Sequence, residues 1–137
     1  MKSTCRDVDR LYVRLAYVAE REYSDVVEYI EVRKDRLRLY IIDDSFIDVW
    51  FSRRIPCKYA FHWERRHIDN TIYRWDNASH RRLKGLETFP HHFHEGSQYN
   101  IRPFKVKESM EDTLRTVLEY VKRRIRTHDN RTHNYYL

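Results

Sequence analysis

The feature that most constrains the fold is a succession of short runs rich in β-branched and aromatic residues between residues 26 and 76. The five runs are Val26–Arg33, Leu37–Ile42, Phe46–Phe51, Lys58–His67 and Thr71–Asp76. Short polar breaks separate them, at residues 34–35, at 43–45, around Pro56 and at 69–70. Such short breaks favour antiparallel hairpins, because a parallel crossover needs a dozen or more residues. The sequence therefore predicts an antiparallel meander of at least five strands, and residues 91–94 and 101–106 are candidates for further extended segments.

Two helices are predicted to flank this sheet. Thr4-x-x-Asp7 resembles a capping box and precedes helical spacing of apolar residues, which predicts a first helix near residues 5–21, although period-two alternation there also fits a strand. Ser109-x-x-Asp112 is a second capping box and predicts an amphipathic helix from Met110 to Ile125. The expected fold class is α+β, a meander of five or more strands packed by an N-terminal and a C-terminal helix.

The 137 residues fit one domain, 1–137, with a polar segment at 127–137 that we expect to be mobile. The two cysteines, Cys5 and Cys57, have no C-x-x-C spacing, so they indicate neither a zinc knuckle nor a redox motif, and a reduced compartment is the default. Neither a signal-peptide pattern nor a membrane-length apolar stretch is present in the sequence. We therefore expect a cytoplasmic protein without membrane contact.

The basic residues are dominated by arginine. The net charge is +6, and 20 of the 27 basic residues are Arg. Arginine presents a planar fork that suits bidentate phosphate contact, so this composition, together with many aromatic residues, is compatible with a nucleic-acid partner. A solvated surface laced with salt bridges explains the same composition. The basic cluster at residues 122–126 also suits the C-terminal end of a helix dipole.

Alternation along the fourth and fifth runs divides their side chains into two faces. Phe61, Trp63, Tyr73 and Trp75 form an aromatic face, which we expect to pack against the helix of residues 110–125. The opposite, polar face carries His62, Glu64, Arg66, Arg74 and Asp76. The register is not fixed by sequence. We favour pairing His67 with Thr71, which sets Glu64 opposite Arg74 and His62 opposite Asp76, because these pairs are complementary.

Histidines concentrate at residues 91–94, where His92 and His94 fall on one face of an extended segment and His91 on the other. Two histidines with an arginine could supply a base, an acid and a cation for proton-transfer chemistry. His92 and His94 could instead ligate a metal, with a third ligand from His62, His80 or Asp76 that no spacing rule selects. A third interpretation is that these histidines are structural. The same interpretation applies to Asn77, since asparagine readily bonds to the backbone at a strand end.

Three linked motifs resemble the TumE family of toxin–antitoxin toxins. They are Tyr59-Ala60-Phe61-His62-Trp63-Glu64, then Tyr73-Arg74-Trp75-Asp76-Asn77-Ala78 with His80, then Thr88-Phe89-Pro90-His91-His92-Phe93-His94. In order and spacing the resemblance runs from about residue 24 to 126, including the C-terminal amphipathic helix. It implies a small toxin neutralised by a cognate antitoxin and acting on RNA.

The residues and the resemblance together give a functional hypothesis: a ribonuclease that uses histidine acid–base chemistry without a cofactor. The expected catalytic residues are His62, Arg74, Asp76, His92 and His94. The expected substrate-binding residues are Glu64, Arg66, Asn77, His80 and His91. The expected partners are an RNA substrate and the antitoxin, and a homodimer is possible. The alternatives are a metal-dependent nuclease that uses His92 and His94, and a non-catalytic module that binds nucleic acid or protein.

Overall fold

The protein is described here by a computed structural model, which covers the backbone of residues 5–135 and the side chains of residues 5–126. Its centre is one antiparallel sheet of seven strands that lie in chain order. The strands are β1 (Val27–Val32), β2 (Leu37–Ile41), β3 (Phe46–Phe51), β4 (Tyr59–Arg65), β5 (Thr71–Asp76), β6 (His92–Gly96) and β7 (Ile101–Pro103). The predicted meander is confirmed, and the two candidate extended segments supply its last two strands.

Two long helices, α1 (Val8–Glu22) and α3 (Met110–Tyr135), share one hydrophobic core with the sheet. The predicted cap of α1 is wrong, because Asp7 itself is the N-cap and accepts a hydrogen bond from Arg10 N at 3.0 Å. Thr4 lies outside the described residues. The second predicted cap is confirmed, since Ser109 Oγ accepts from Asp112 N at 3.1 Å. The predicted α+β class is therefore confirmed, with a helix from each end of the chain.

Helix α3 runs past Ile125, where the apolar periodicity of the sequence predicted its end. Among the described side chains of α3, Ile125 is the last buried residue. The segment 127–137, which was expected to be mobile, lies outside the residues whose side chains the structure describes.

The aromatic face of β4 and β5 forms the centre of the core, as predicted. Phe61, Trp63, Tyr73 and Trp75 are all buried. Tyr120 of α3 packs on this face, with its ring centroid 5.7 Å from that of Tyr73 and 5.5 Å from that of Trp75. Because strand side chains alternate, burial of this face leaves the polar face of the same strands pointing away from the core.

The β4–β5 register differs from the favoured one by two residues. The ladder pairs Arg65 with Thr71, His62 with Arg74, and Ala60 with Asp76. The cause is a short helix, α2 (Arg66–Asp69), which ends at Asn70 in the left-handed conformation and includes Arg66 and His67, which were expected to extend β4. A shift of two residues changes the cross-strand partners but keeps every side chain on its face, because the strand period is two.

Cys5 and Cys57 form a disulfide that ties the segment before α1 to the loop between β3 and β4. This pair was not predicted from the sequence, and it does not fit the reduced compartment that was expected. Within the part of the chain that the structure describes, none of the helices combines the length and apolar character needed to cross a bilayer.

Candidate functional site

Three polar side chains form a row across neighbouring strands. Arg74 on β5 lies directly opposite His62 on β4 and directly opposite His94 on β6. Neighbouring strands are about 4.8 Å apart, so the backbones of the two histidines stand about 10 Å apart with the arginine between them. The meander explains this row, since it makes β4, β5 and β6 consecutive neighbours.

The row opens onto a cleft of about 810 Å³ on the polar side of the sheet. Six residues that the sequence predicted for the site line this cleft: His62, Arg66, Arg74, Asp76, His80 and His94. The motifs of β4, β5 and β6 therefore meet in one concave surface, which is the usual setting for ligand sites.

His62 is held in one tautomer by its two neighbours. Arg74 Nη1 donates to His62 Nδ1 at 3.3 Å, so the proton of the neutral ring is on Nε2, which donates to Glu64 Oε1 at 3.2 Å. Burial lowers the pKa of His62, and the charge of Arg74 lowers it further, whereas Glu64 acts in the opposite direction. The net shift is downward, so His62 is neutral and able to accept a proton at neutral pH.

Asp76 is the centre of the buried part of the site. Its carboxylate accepts hydrogen bonds from Arg74 Nε at 3.1 Å and from Ala78 N at 2.9 Å. His92 Nε2 lies 3.2 Å from Oδ1 and His94 Nε2 lies 3.6 Å from Oδ2. Burial opposes ionisation, but the two imidazoles and the Ala78 amide outweigh it and hold the pKa of Asp76 well below its usual value. Asp76 is therefore an anion at neutral pH.

His92 and His94 each donate the Nδ1–H of the ring to a backbone carbonyl oxygen. His92 Nδ1 donates to Pro90 O at 2.8 Å, and His94 Nδ1 donates to Gln98 O at 2.9 Å. His92 is completely buried, whereas His94 is 8% exposed and reaches the cleft. Of these two histidines, His94 is therefore the one that a ligand in the cleft can contact.

The structure assigns three of the predicted site residues to other contacts. Glu64 binds His62 and makes a close ion pair with Arg66 at 2.6 Å. The Asn77 amide accepts from Tyr59 N and donates to Cys57 O, which fixes the start of β4. His91 stacks on Tyr59 away from the cleft, with its Nδ1 3.0 Å from the Tyr59 hydroxyl oxygen. The predictions that Asn77 and His91 bind substrate are not supported by their positions, because neither lines the cleft.

Several residues that line the cleft were not predicted from the sequence, among them Arg82, Gln98 and Tyr99. Arg82 lies in a single 3₁₀ turn, Arg81–Leu83. Gln98 and Tyr99 follow Gly96, whose φ of 83° lies in the left-handed region and turns the chain at the end of β6. The Gly96-Ser97 pair is a turn signal that could have indicated that the next residues fold back over the histidines.

Asp76, His92 and His94 are also the one group of described residues with a metal-ligand composition and matching geometry. Their nearest ligand atoms all lie within 4.8 Å of one another. Asp76 is thus the third partner that spacing could not select.

Comparison with known proteins adds one match. A family model described as "Toxin TumE" matches residues 9–125, which include every residue of the cleft. No curated protein and no solved structure gives a significant match. Because the family model covers most of the chain, the protein belongs to the TumE family and is a toxin of a toxin–antitoxin system, which implies a cognate antitoxin as its partner.

Proposed function

We propose that this toxin is an endoribonuclease and that its catalytic centre is the row formed by His62, Arg74 and His94. The observation that carries the proposal is the cross-strand pairing that sets one histidine on each side of an arginine at a cleft. Cleavage of RNA by its own 2′-hydroxyl needs a base on one side of the phosphate, an acid on the other and a cation for the charge that develops between them.

His62 suits the role of general base. Its lowered pKa keeps it neutral, and Glu64 orients the ring so that Nδ1 points to Arg74. In the free protein Arg74 occupies this lone pair. A substrate phosphate competes for the guanidinium, and its arrival releases Nδ1 to accept the 2′-hydroxyl proton. Arg74 then holds the phosphate oxygens with the fork geometry that suits them.

His94 suits the role of general acid. Its Nε2 lies 3.6 Å from Asp76 Oδ2 and its ring reaches the cleft, so a proton carried by this ring can pass to the leaving oxygen of a bound substrate. In the proposed step, the 2′-oxygen attacks phosphorus as His62 takes its proton. The bond from phosphorus to the 5′-oxygen breaks as His94 protonates that oxygen. The products are a 2′,3′-cyclic phosphate and a free 5′-hydroxyl end.

Positive charge around the cleft supports binding of a polyanion. Arg66 and Arg82 line it together with Arg74, and His80 adds an exposed imidazole. Arg66 pairs with Glu64 and Arg74 pairs with Asp76, so Arg82 carries the least neutralised charge of the three. Tyr99, which is 83% exposed, offers a ring on which a base can stack. Cytoplasmic location and a homodimer remain predictions of the sequence.

The test is cleavage of matched RNA and DNA oligonucleotides of the same sequence, each with and without chelator. We expect RNA to be cut both with and without chelator, and DNA not to be cut, because DNA lacks the 2′-hydroxyl nucleophile. The RNA products should end in 2′,3′-cyclic phosphate. His62→Ala and His94→Ala should each reduce the rate by about 10²- to 10⁴-fold. His67→Ala is the matched control, since His67 contacts Phe46 and Asp44 O instead of the cleft.

Other outcomes discriminate between the alternatives. Equal cutting of DNA, or full activity in both histidine variants with native circular dichroism, would overturn the mechanism. Cutting that disappears in chelator would support the metal-dependent nuclease. Intact RNA that is nevertheless bound tightly would support a non-catalytic binding module.

A further inference from the structure

The buried group of Asp76, His92 and His94 has an arrangement that the proposed acid–base chemistry does not explain. His92 is completely buried and cannot touch a substrate in the cleft. It nevertheless points its Nε2 at the same carboxylate as His94 does. Both imidazoles therefore direct their second ring nitrogen at one buried carboxylate.

The backbone fixes which ring nitrogens face the carboxylate. Carbonyl oxygens can only accept, so Pro90 O and Gln98 O hold the Nδ1 protons of His92 and His94. In neutral rings, both Nε2 atoms then present lone pairs to the Asp76 carboxylate, so three electron-rich groups converge. A cation between them, either a bound metal ion or the proton of a charged imidazole, makes this arrangement favourable.

His92 Nε2 shows that the described side chains do not complete this arrangement. It is buried and has no hydrogen-bond partner among the described residues, because its 3.2 Å contact with Asp76 Oδ1 lacks hydrogen-bond geometry. A buried polar atom without a partner destabilises a fold, and such atoms are rare in native proteins. A bound ion would give this atom a partner.

The distances fit a small divalent ion. Zinc takes imidazole nitrogen at about 2.0–2.1 Å and carboxylate oxygen at about 2.0–2.2 Å, which in a tetrahedral site sets ligand atoms about 3.4 Å apart. The two nitrogen-to-oxygen separations, 3.2 Å to Oδ1 and 3.6 Å to Oδ2, bracket this value, and the ligand atoms of the three residues lie within 4.8 Å of one another, so the side chains must move closer together to bind an ion. Metal-bound histidines almost always donate their other ring N–H to a carbonyl or carboxylate, as both of these do.

The ligand set selects the class of metal. Two imidazoles with one carboxylate suit zinc and neighbouring transition metals, whereas calcium and magnesium prefer oxygen ligands alone. His94 and Asp76 line the cleft, so the fourth position of the metal would face it. Arg74 is the cation nearest to this position. Its hydrogen bond to Oδ2 leaves further lone pairs on the carboxylate, since each oxygen carries two.

We propose that Asp76, His92 and His94 bind one zinc-class ion, and that an occupied site inhibits the toxin. The inhibition rests on the proposed function, because an ion on His94 Nε2 removes the lone pair that must carry the proton to the leaving oxygen. The binding site itself is independent of what the toxin cleaves.

Binding is tested first, on the full chain stripped with chelator. Zinc titrated against a competing chromophoric chelator should bind at one ion per chain, and the ring-proton NMR signals of His92 and His94 should shift while those of His67 stay unchanged. Asp76→Asn and His92→Gln should each weaken binding by at least about 100-fold, because even the loss of a residue that only hydrogen-bonds to a ligand weakens metal binding by about 10- to 100-fold. His67→Ala should bind zinc as the wild type does.

Each outcome decides the proposal. The NMR shifts need no variant, so they test the site even if a buried substitution prevents folding. Absence of binding, or binding that is unchanged in folded Asp76→Asn and His92→Gln, overturns the site. In the cleavage assay, zinc should inhibit at the concentration that fills the site, and His92→Gln should lose this inhibition. Stimulation by zinc would overturn the inhibitory role, and failure to cut RNA at all would count against the proposed function while leaving the binding result intact.

Discussion

Arg74 Nη1 lies 3.3 Å from His62 Nδ1, and these two residues face each other directly across the β4–β5 ladder. The arginine donates to the nitrogen that the proposed mechanism uses as a base. Phosphate binding and base activation are therefore coupled, because the guanidinium cannot hold a phosphate with the same N–H that it gives to His62. In the protein without substrate, His62 Nδ1 accepts this hydrogen bond and is not free to accept a proton.

The first prediction concerns the ionisation of His62. Burial holds its pKa below the usual 6.5, and the carboxylate of Glu64 is the main group that opposes this shift. Glu64 is ionised throughout the neutral range, because Arg66 lowers its pKa to about 2. Glu64→Gln removes an anion that stabilises the imidazolium, so the pKa of His62 should fall further and the acidic limb of kcat/KM should move to lower pH.

NMR titration of the His62 ring protons measures this shift directly. Glu31→Gln is the control, because it removes one carboxylate from β1, three strands away from β4. An unchanged or raised His62 pKa in Glu64→Gln would contradict the interpretation that Glu64 stabilises the charged ring.

The second prediction concerns the shape of the cation. Arg74→Lys keeps the charge but loses the fork that reaches His62 and Asp76 together. We expect kcat to fall by about 10²-fold or more, the usual effect of removing one donor from a developing oxyanion. Single-turnover cleavage separates this effect from RNA binding. Arg53→Lys is the control, since Arg53 pairs with Asp9 and Lys34 O away from the cleft. Wild-type rates in Arg74→Lys would remove Arg74 from the mechanism.

The third prediction concerns stability. Arg65 is buried and binds Asp43, and its Nε donates to Asp69 at 3.1 Å. Arg65→Met leaves both carboxylates without this partner, and breaking a buried ion pair costs about 3–5 kcal/mol. We expect a loss of about 3 kcal/mol in the free energy of unfolding, the low end of that range, because Asp43 and Asp69 keep some contact with water. Arg66→Met, on the exposed neighbour, should change it much less.

The pH dependence of this difference has a defined sign. Burial raises the pKa of Asp43 and of Asp69, but hydrogen bonds, including those from Arg65, outweigh it and hold both values below normal. A carboxylate whose pKa is lower in the folded than in the unfolded protein stabilises the fold fully above the unfolded pKa of about 3.9. This contribution is lost as the pH falls from that value through the lower pKa of the folded protein. The difference between wild type and Arg65→Met, measured by urea unfolding, should therefore be greatest at neutral pH and shrink in acid.

Much of the fold could be predicted because it follows from alternation. The bounds of Phe46–Phe51 and Thr71–Asp76 were predicted as observed, and both faces of β4 and β5 were assigned correctly. The register was not, because it depends on how many residues the turn consumes. Arg66 and His67 were predicted to end β4, before a turn at residues 69–70, but Arg66–Asp69 folds as a helical turn. Local propensity does not distinguish these outcomes, because ion pairs from the turn to the end of β4 also contribute.

The site was predictable in outline for a topological reason. A meander makes β4, β5 and β6 neighbours, so motifs on these strands must converge if they share a face. The role of single residues was harder to predict. Asn77 and His91 bind the backbone or a buried tyrosine, and such contacts depend on loop paths that sequence does not fix. The disulfide between Cys5 and Cys57 was missed for the same reason, since a separation of 52 residues carries no spacing signal.

The last prediction concerns Tyr99, which the sequence analysis overlooked. Its ring is 83% exposed at the wall of the cleft, where an aromatic surface serves the fold little and can stack on an RNA base. Stacking of one base is worth about 1–3 kcal/mol, so Tyr99→Ala should weaken binding of a short RNA by about 5- to 150-fold while kcat changes little. Fluorescence anisotropy with labelled RNA, in the catalytically slow His94→Ala background, measures this without cleavage.

Tyr29→Ala is the matched control, because Tyr29 is 61% exposed on the edge strand β1 and does not line this cleft. Equal loss in the two tyrosine variants would show that exposed aromatic surface in general attracts RNA, and unchanged binding in Tyr99→Ala would place the substrate elsewhere in the cleft.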